Sequence, residues 1–245
     1  MSWKLIFEDN FDKPTIDLAK WSYDTGNHGF GNNELQYYTT REENIYIENS
    51  NLVIKALKED YLGSPYTSGK LWTKGHFSFT YGYVEVKARL PKGKGIWPAI
   101  WMMPENIEVH GKWPSCGEID IMELVGHEPN TIYGTIHYGL PHTYHGGKYC
   151  LEQGSFADDY HVFGLEWDKE GIRWYVDGKL YHEENYWFTK KQDGSLVENF
   201  PAPFNKDFYL IINLAVGGRW PGYPDETTVF PQEFIIDYVR FYQKR

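Results

Sequence analysis

Apolar and polar residues alternate with a period of two along much of the chain, and a helical period is nearly absent. In residues 83–90 the even positions are Val84, Val86, Ala88 and Leu90, and the odd ones are Tyr83, Glu85, Lys87 and Arg89. A strand with one buried face reads this way, because successive side chains leave a strand on opposite sides. A slip of one residue would bury the charges, so the register is well specified. Ile172-Arg173-Trp174-Tyr175-Val176 alternates too, and Asp177-Gly178 separates it from Lys179-Leu180-Tyr181-His182. Asp-Gly between two alternating runs predicts a hairpin with a two-residue turn. Further strands are expected over 51–57, 133–138, 161–167, 208–216 and 235–242, with one helical scrap over 17–21. Gly and Pro fall between these runs, where turns require them. A series of short strands with no helical stretches between them predicts an all-β sandwich or barrel, and 1–245 reads as one domain without repeats or linkers.

Composition narrows the function classes. The chain has 245 residues, with 24 Lys plus Arg against 34 Asp plus Glu and a formal net charge of −10. That balance argues against a nucleic-acid partner, which needs clustered cations. The one basic run, Pro91-Lys92-Gly93-Lys94-Gly95, reads as a solvated loop. The longest apolar stretch, 209–216, is broken by Asn213 and is far shorter than the roughly 20 residues of a membrane-spanning helix. No association with a membrane is expected. The 10 Trp, 20 Tyr and 14 Phe serve strands, cores and sugar-stacking surfaces alike, so they lean towards β structure without naming a ligand. Cys116 and Cys150 are too few for a disulfide framework, and the first residues lack the pattern of a secretory leader.

The chemistry concentrates in Gly117-Glu118-Ile119-Asp120-Ile121-Met122-Glu123, where three carboxylates fall among residues that suit a strand. Glu118 and Asp120 share a face by alternation, whereas Glu123 would point the other way. A β-bulge at Ile121-Met122 would reverse the alternation and bring all three into one cleft. Like charges held close push their pKa values apart, leaving a protonated acid beside an ionised nucleophile. Retaining glycoside hydrolysis uses such a pair. On spacing alone a hard-cation site or a solvated acidic edge is an equal reading.

Glu118-Ile119-Asp120-Ile121-Met122-Glu123 resembles the signature of glycoside hydrolase family sixteen, in the laminarinase-like endo-β-1,3-glucanase branch with an extra residue before the last Glu. Gly31-Asn32-Asn33-Glu34, the run Gly95-Ile96-Trp97-Pro98-Ala99-Ile100-Trp101, and Leu214 to Gly222 are similar to further blocks of that family, in its order. The resemblance implies a β-jelly-roll sandwich of two curved antiparallel sheets with an open cleft on the concave one. It implies Glu118 as nucleophile, Glu123 as general acid/base and Asp120 as the partner that modulates Glu118. It also points to Asn33, Trp101, Trp113, His137 and Trp220 as substrate-binding residues. The implied substrate is a laminarin-type β-glucan, mixed-linkage glucans included, cleaved by a monomer outside the cell without a catalytic cofactor. A glucan-recognition module, a transglycosylase and a galactanase of the same fold are the alternatives. His142 and His145 lack a convincing ligand set and read as loop residues. Alternation places Asp237 with Ile235, Val239 and Phe241, and the resemblance implies one structural calcium held by that carboxylate and backbone oxygens.

Overall fold

The computed structural model describes residues 2–109, 111–190, 195 and 199–245. The first strands are β1 (Trp3–Asp9), β2 (Ser22–Tyr23), β3 (Gln36–Tyr38), β4 (Ile45–Glu48), β5 (Asn51–Tyr61), β6 (Ser64–Ser68) and β7 (Lys70–Trp72). Then come β8 (Gly82–Arg89), β9 (Ile96–Pro104), β10 (Glu118–Glu123), β11 (Thr131–Tyr138) and β12 (Thr143–Cys150). The last are β13 (His161–Trp167), β14 (Ile172–Val176), β15 (Lys179–Glu184), β16 (Phe208–Val216) and β17 (Gln232–Lys244). One sheet runs β12-β11-β10-β9-β16-β7-β2. The other runs β15-β14-β13-β8-β17-β5-β6-β3, with β1 added to β17 and β4 to β5. Together they form a jelly-roll sandwich, antiparallel throughout except for the parallel pairing of β3 with β6.

Alternation decides which face each strand turns inward. On β9 the even residues Ile96, Ile100 and Met102 are buried in the core between the sheets, while Trp97, Ala99 and Trp101 face the cleft. On β8 the pattern is the expected one, with Val84, Val86 and Ala88 in the core. Fully buried Trp167, Trp174, Phe163 and Leu165 meet them from β13 and β14. Each such side chain contributes roughly 1.5–3 kcal/mol by leaving water. The Asp177-Gly178 hairpin forms as expected, with Asp177 at φ 50° and Gly178 at φ 76°.

Some elements differ from the sequence reading. Residues 17–21 make a single hydrogen-bonded turn, not a helix, in which the amides of Lys20 and Trp21 donate to Asp17. Strand β12 carries His145, which sequence alone assigned to a loop; its polar, glycine-rich residues lie at a sheet edge and none is buried on either face, so the alternation signal is missing. His142 does lie in the preceding turn. Strand β17 bulges between Ile236 and Tyr238, so the core receives Phe234, Ile236, Val239 and Phe241. Asp237 therefore does not share a face with Val239 and Phe241. It is half-exposed on the outer face, and Lys87 Nζ lies 2.7 Å from its Oδ2.

Candidate active site

The cleft is centred on β10. Against β9 the register runs Asp120 with Trp101 and then Met122 with Ile100, and against β11 it jumps from Asp120–Thr135 to Glu123–Tyr133. This is the expected bulge at Ile121-Met122. Ile119, Ile121 and Met122 all enter the core, which leaves Glu118, Asp120 and Glu123 on the cleft face. The preceding Gly117 has φ 86°, and a Cβ there would come within 2.8 Å of the buried Phe204 ring. Only glycine lets the chain enter β10 at this angle.

Each outer carboxylate is held by an indole. Trp113 Nε1 donates to Glu118 Oε2 at 2.9 Å, and Trp97 Nε1 donates to Glu123 Oε1 at 3.1 Å. His137, directly across from Glu118 on β11, brings Nε2 to 3.3 Å from Asp120 Oδ2 and 3.9 Å from Glu118 Oε1. The Asp120 contact misses hydrogen-bond alignment, so that buried oxygen has no donor. A proton shared between the carboxyls would relieve it.

Burial and then the charge of Asp120 push Glu118 up to about 8, with His137 and the Trp113 donor opposing. Burial raises Asp120 as well. Glu123 is raised well above the ordinary glutamate range, by burial first and then by the charges of Asp120 and Glu118. The cluster thus keeps protons near neutrality. Among the described residues the only gathering of three or more metal-ligand side chains is Glu118, Asp120 and His137, so it coincides with these carboxyls.

Aromatic side chains flank both ends. Trp220, half-exposed, stands edge-on to Trp97 at 5.7 Å and to Tyr133 at 5.1 Å, beside Glu123. At the other end Trp113, also half-exposed, lies 4.7 Å from His142, which stacks on His137 at 5.1 Å. Next to Asp120, Trp101 donates to Asn213 at 2.7 Å and helps line a cavity of about 320 Å³. Asp24, Glu34 and Lys70 bring charge into that cavity, and Lys70 Nζ lies 2.8 Å from Asp24 Oδ2.

Of the expected substrate residues, Trp101, Trp113, His137 and Trp220 all reach the cleft. Asn33 does not line the cavity: it is exposed at φ 58°, and its neighbour Asn32 lines it instead. The sequence reading passed over Trp97, Asn213, Lys70 and Tyr133. Trp97 was legible, since it is four residues before Trp101 on an alternating strand and so shares its face.

A floor of alternating strands, three buried carboxyls on one side of a bulged strand and tryptophans at either end make a cleft for protonating and displacing groups on a sugar chain. The model of glycosyl hydrolases family 16 matches residues 32–238. The chain belongs to that family. It is a glycoside hydrolase.

A β-glucanase of Rhodothermus marinus is 43% identical over 98% of this chain and 85% of its own length. The laminarinase catalytic domain of Thermotoga maritima MSB8 superposes with a TM-score of 0.88 at 44% identity, covering 100% of both chains. The endo-β-1,3-glucanase of Pyrococcus furiosus follows at a TM-score of 0.84 and 45% identity, over 98% of this chain and 94% of that one. As a family 16 hydrolase the chain keeps all three carboxylates of the motif.

Proposed function

We propose that this hydrolase cleaves β-1,3-glucosidic bonds within laminarin-type glucans, with net retention at the anomeric carbon. One observation carries the reading: the bulge puts Glu118 and Glu123 on the same cleft wall with Asp120 between them. Glu118 attacks the anomeric carbon as a carboxylate while Glu123 gives its proton to the departing oxygen. A water then loses a proton to Glu123 and displaces Glu118 from the sugar. Asp120 shares the proton that must leave Glu118 before attack, and its charge disfavours a second ionisation beside it. Trp113 and Trp220 offer faces for glucose rings, and the cavity beside Trp101 offers hydrogen-bonding groups for hydroxyls. The polymer is too large to enter a cell, which supports action outside it, and the three carboxyls come from one strand of one chain, which supports a monomer. Among the described residues no helix is long and apolar enough to cross a membrane.

Product sizing on laminarin, lichenan, agarose and κ-carrageenan tests the substrate. Short oligosaccharides from laminarin, with or without activity on lichenan, are the expected result. Activity confined to a galactan overturns the substrate, and binding without turnover identifies a recognition module. Longer products formed from added oligosaccharide acceptors would mark transglycosylation.

A structural calcium at Asp237 is supported by the resemblance alone. Calcium needs six to eight oxygens. Asp237 offers one carboxylate already paired with Lys87, so its side chain alone does not make that cage. The ion would stabilise the sandwich and take no part in catalysis. If it is held at about 100-fold its Kd, stripping it with EDTA lowers Tm by about 5–10 °C, and calcium restores it. An unchanged Tm shows that no such ion stabilises the sandwich.

A further inference from the structure

Trp174 lies on β14, in the sheet that does not carry the cleft, and is fully buried. Its Nε1–H crosses the core and donates to the backbone carbonyl of Asp120 at 2.8 Å. That carbonyl stands where the ladder of β10 breaks. A bulge leaves backbone groups without ladder partners, and in a dry core such a group needs another donor. The indole supplies it.

Gly134 of β11 completes the arrangement. It lies between Tyr133 and Thr135, the residues across from Glu123 and Asp120, and so stands opposite the bulge. A Cβ on Gly134 would come within 2.3 Å of Trp174 Cδ1 and 2.6 Å of its Nε1. The missing side chain is the space through which the indole reaches β10.

We propose that Trp174 is a positioning residue for catalysis: its N–H holds the bulge that turns Glu123 onto the face of Glu118 and Asp120. This rests on the reading of those three carboxyls as the catalytic set. Without the indole, the Asp120 carbonyl loses this donor at the break in the ladder, and β10 is freed to drift towards a regular ladder. A regular ladder would direct Glu123 away from Glu118. The indole touches no substrate, so its loss is felt in turnover and not in glucan binding.

The test replaces Trp174 with 3-benzothienylalanine, which keeps the ring shape and lacks the N–H. 5-Fluorotryptophan, which keeps the N–H, is the rescue control. Trp21→Phe is the stability control, because fully buried Trp21 also donates its N–H, to Asp9 at 2.8 Å, a contact that involves none of the three cleft carboxyls. The expected result is a fall in kcat on laminarin of about tenfold or more, the worth of one buried hydrogen bond, with KM little changed. Fluorotryptophan restores kcat, and Trp21→Phe lowers Tm without this loss of kcat. A folded benzothienylalanine protein with wild-type kcat overturns the proposal, as does an equal loss of kcat in Trp21→Phe. Glu123→Gln is assayed in parallel. Full activity in that variant refutes the catalytic set itself, a failure distinct from that of the Trp174 proposal.

Discussion

Glu118→Gln hydrolyses laminarin at least about 10⁴-fold more slowly than the wild type while still folding and binding glucan, a loss of about 5 kcal/mol in transition-state stabilisation. The amide keeps the length of the side chain and an oxygen for the Trp113 donor, but it cannot form the glycosyl ester. Reducing-sugar release gives kcat, and titration with laminarin gives binding. A variant within tenfold of the wild type removes Glu118 from the nucleophile's role.

The same substitution carries a stability signature of definite sign. Burial and Asp120 raise the Glu118 pKa from its ordinary 4.5 to about 8, so the folded protein retains a proton that the unfolded chain releases. Wild-type stability contributed by this group is therefore intact below about pH 4.5 and is lost progressively as pH rises to about 8. Glutamine escapes that loss. Discounted for the water that reaches the cleft, the gain is about 1–2 kcal/mol at pH 8, or a rise in Tm of roughly 2–8 °C. At pH 4 the two melting temperatures coincide. Stability is thus given up locally to keep a reactive carboxyl out of bulk water.

Glu123→Ala slows hydrolysis of the natural polymer by about 10³-fold, because the leaving sugar oxygen departs without a proton. An aryl glycoside with a good leaving group needs no such help, so its glycosyl-enzyme still forms. Azide then takes the place of the activated water and gives a β-glycosyl azide. In Glu118→Ala azide takes the place of the nucleophile on the opposite face and gives the α-glycosyl azide. Product stereochemistry thus assigns each role by itself, and exchanged outcomes would reverse the assignment. The alkaline limb of the wild-type pH profile also disappears in Glu123→Ala. Its position reports the Glu123 carboxyl, which burial and the charges of Asp120 and Glu118 raise well above the ordinary range, so wild-type activity persists past neutrality.

Local sequence determined the strands whose two faces differ and the chemistry whose parts are close in the chain. Alternation over 83–90 and the Asp-Gly turn needed only neighbours a few residues apart, because strand direction and turn geometry are short-range properties. The spacing of Glu118, Asp120 and Glu123 even required the bulge, since three like groups can share a cleft wall only if the alternation breaks once. Tertiary structure decided what depends on partners distant in sequence. Asp237 changed face because β17 bulges against β8, and its own residues do not reveal how that neighbour is paired. Asn32 took the place expected of Asn33 because the turn at φ 58° points the second asparagine outward. Lys70 and Asn213 reached the cleft only when β7 and β16 lay beside β9. The donor for the Asp120 carbonyl is 54 residues away on the opposite sheet, where core packing alone brings the indole to the bulge.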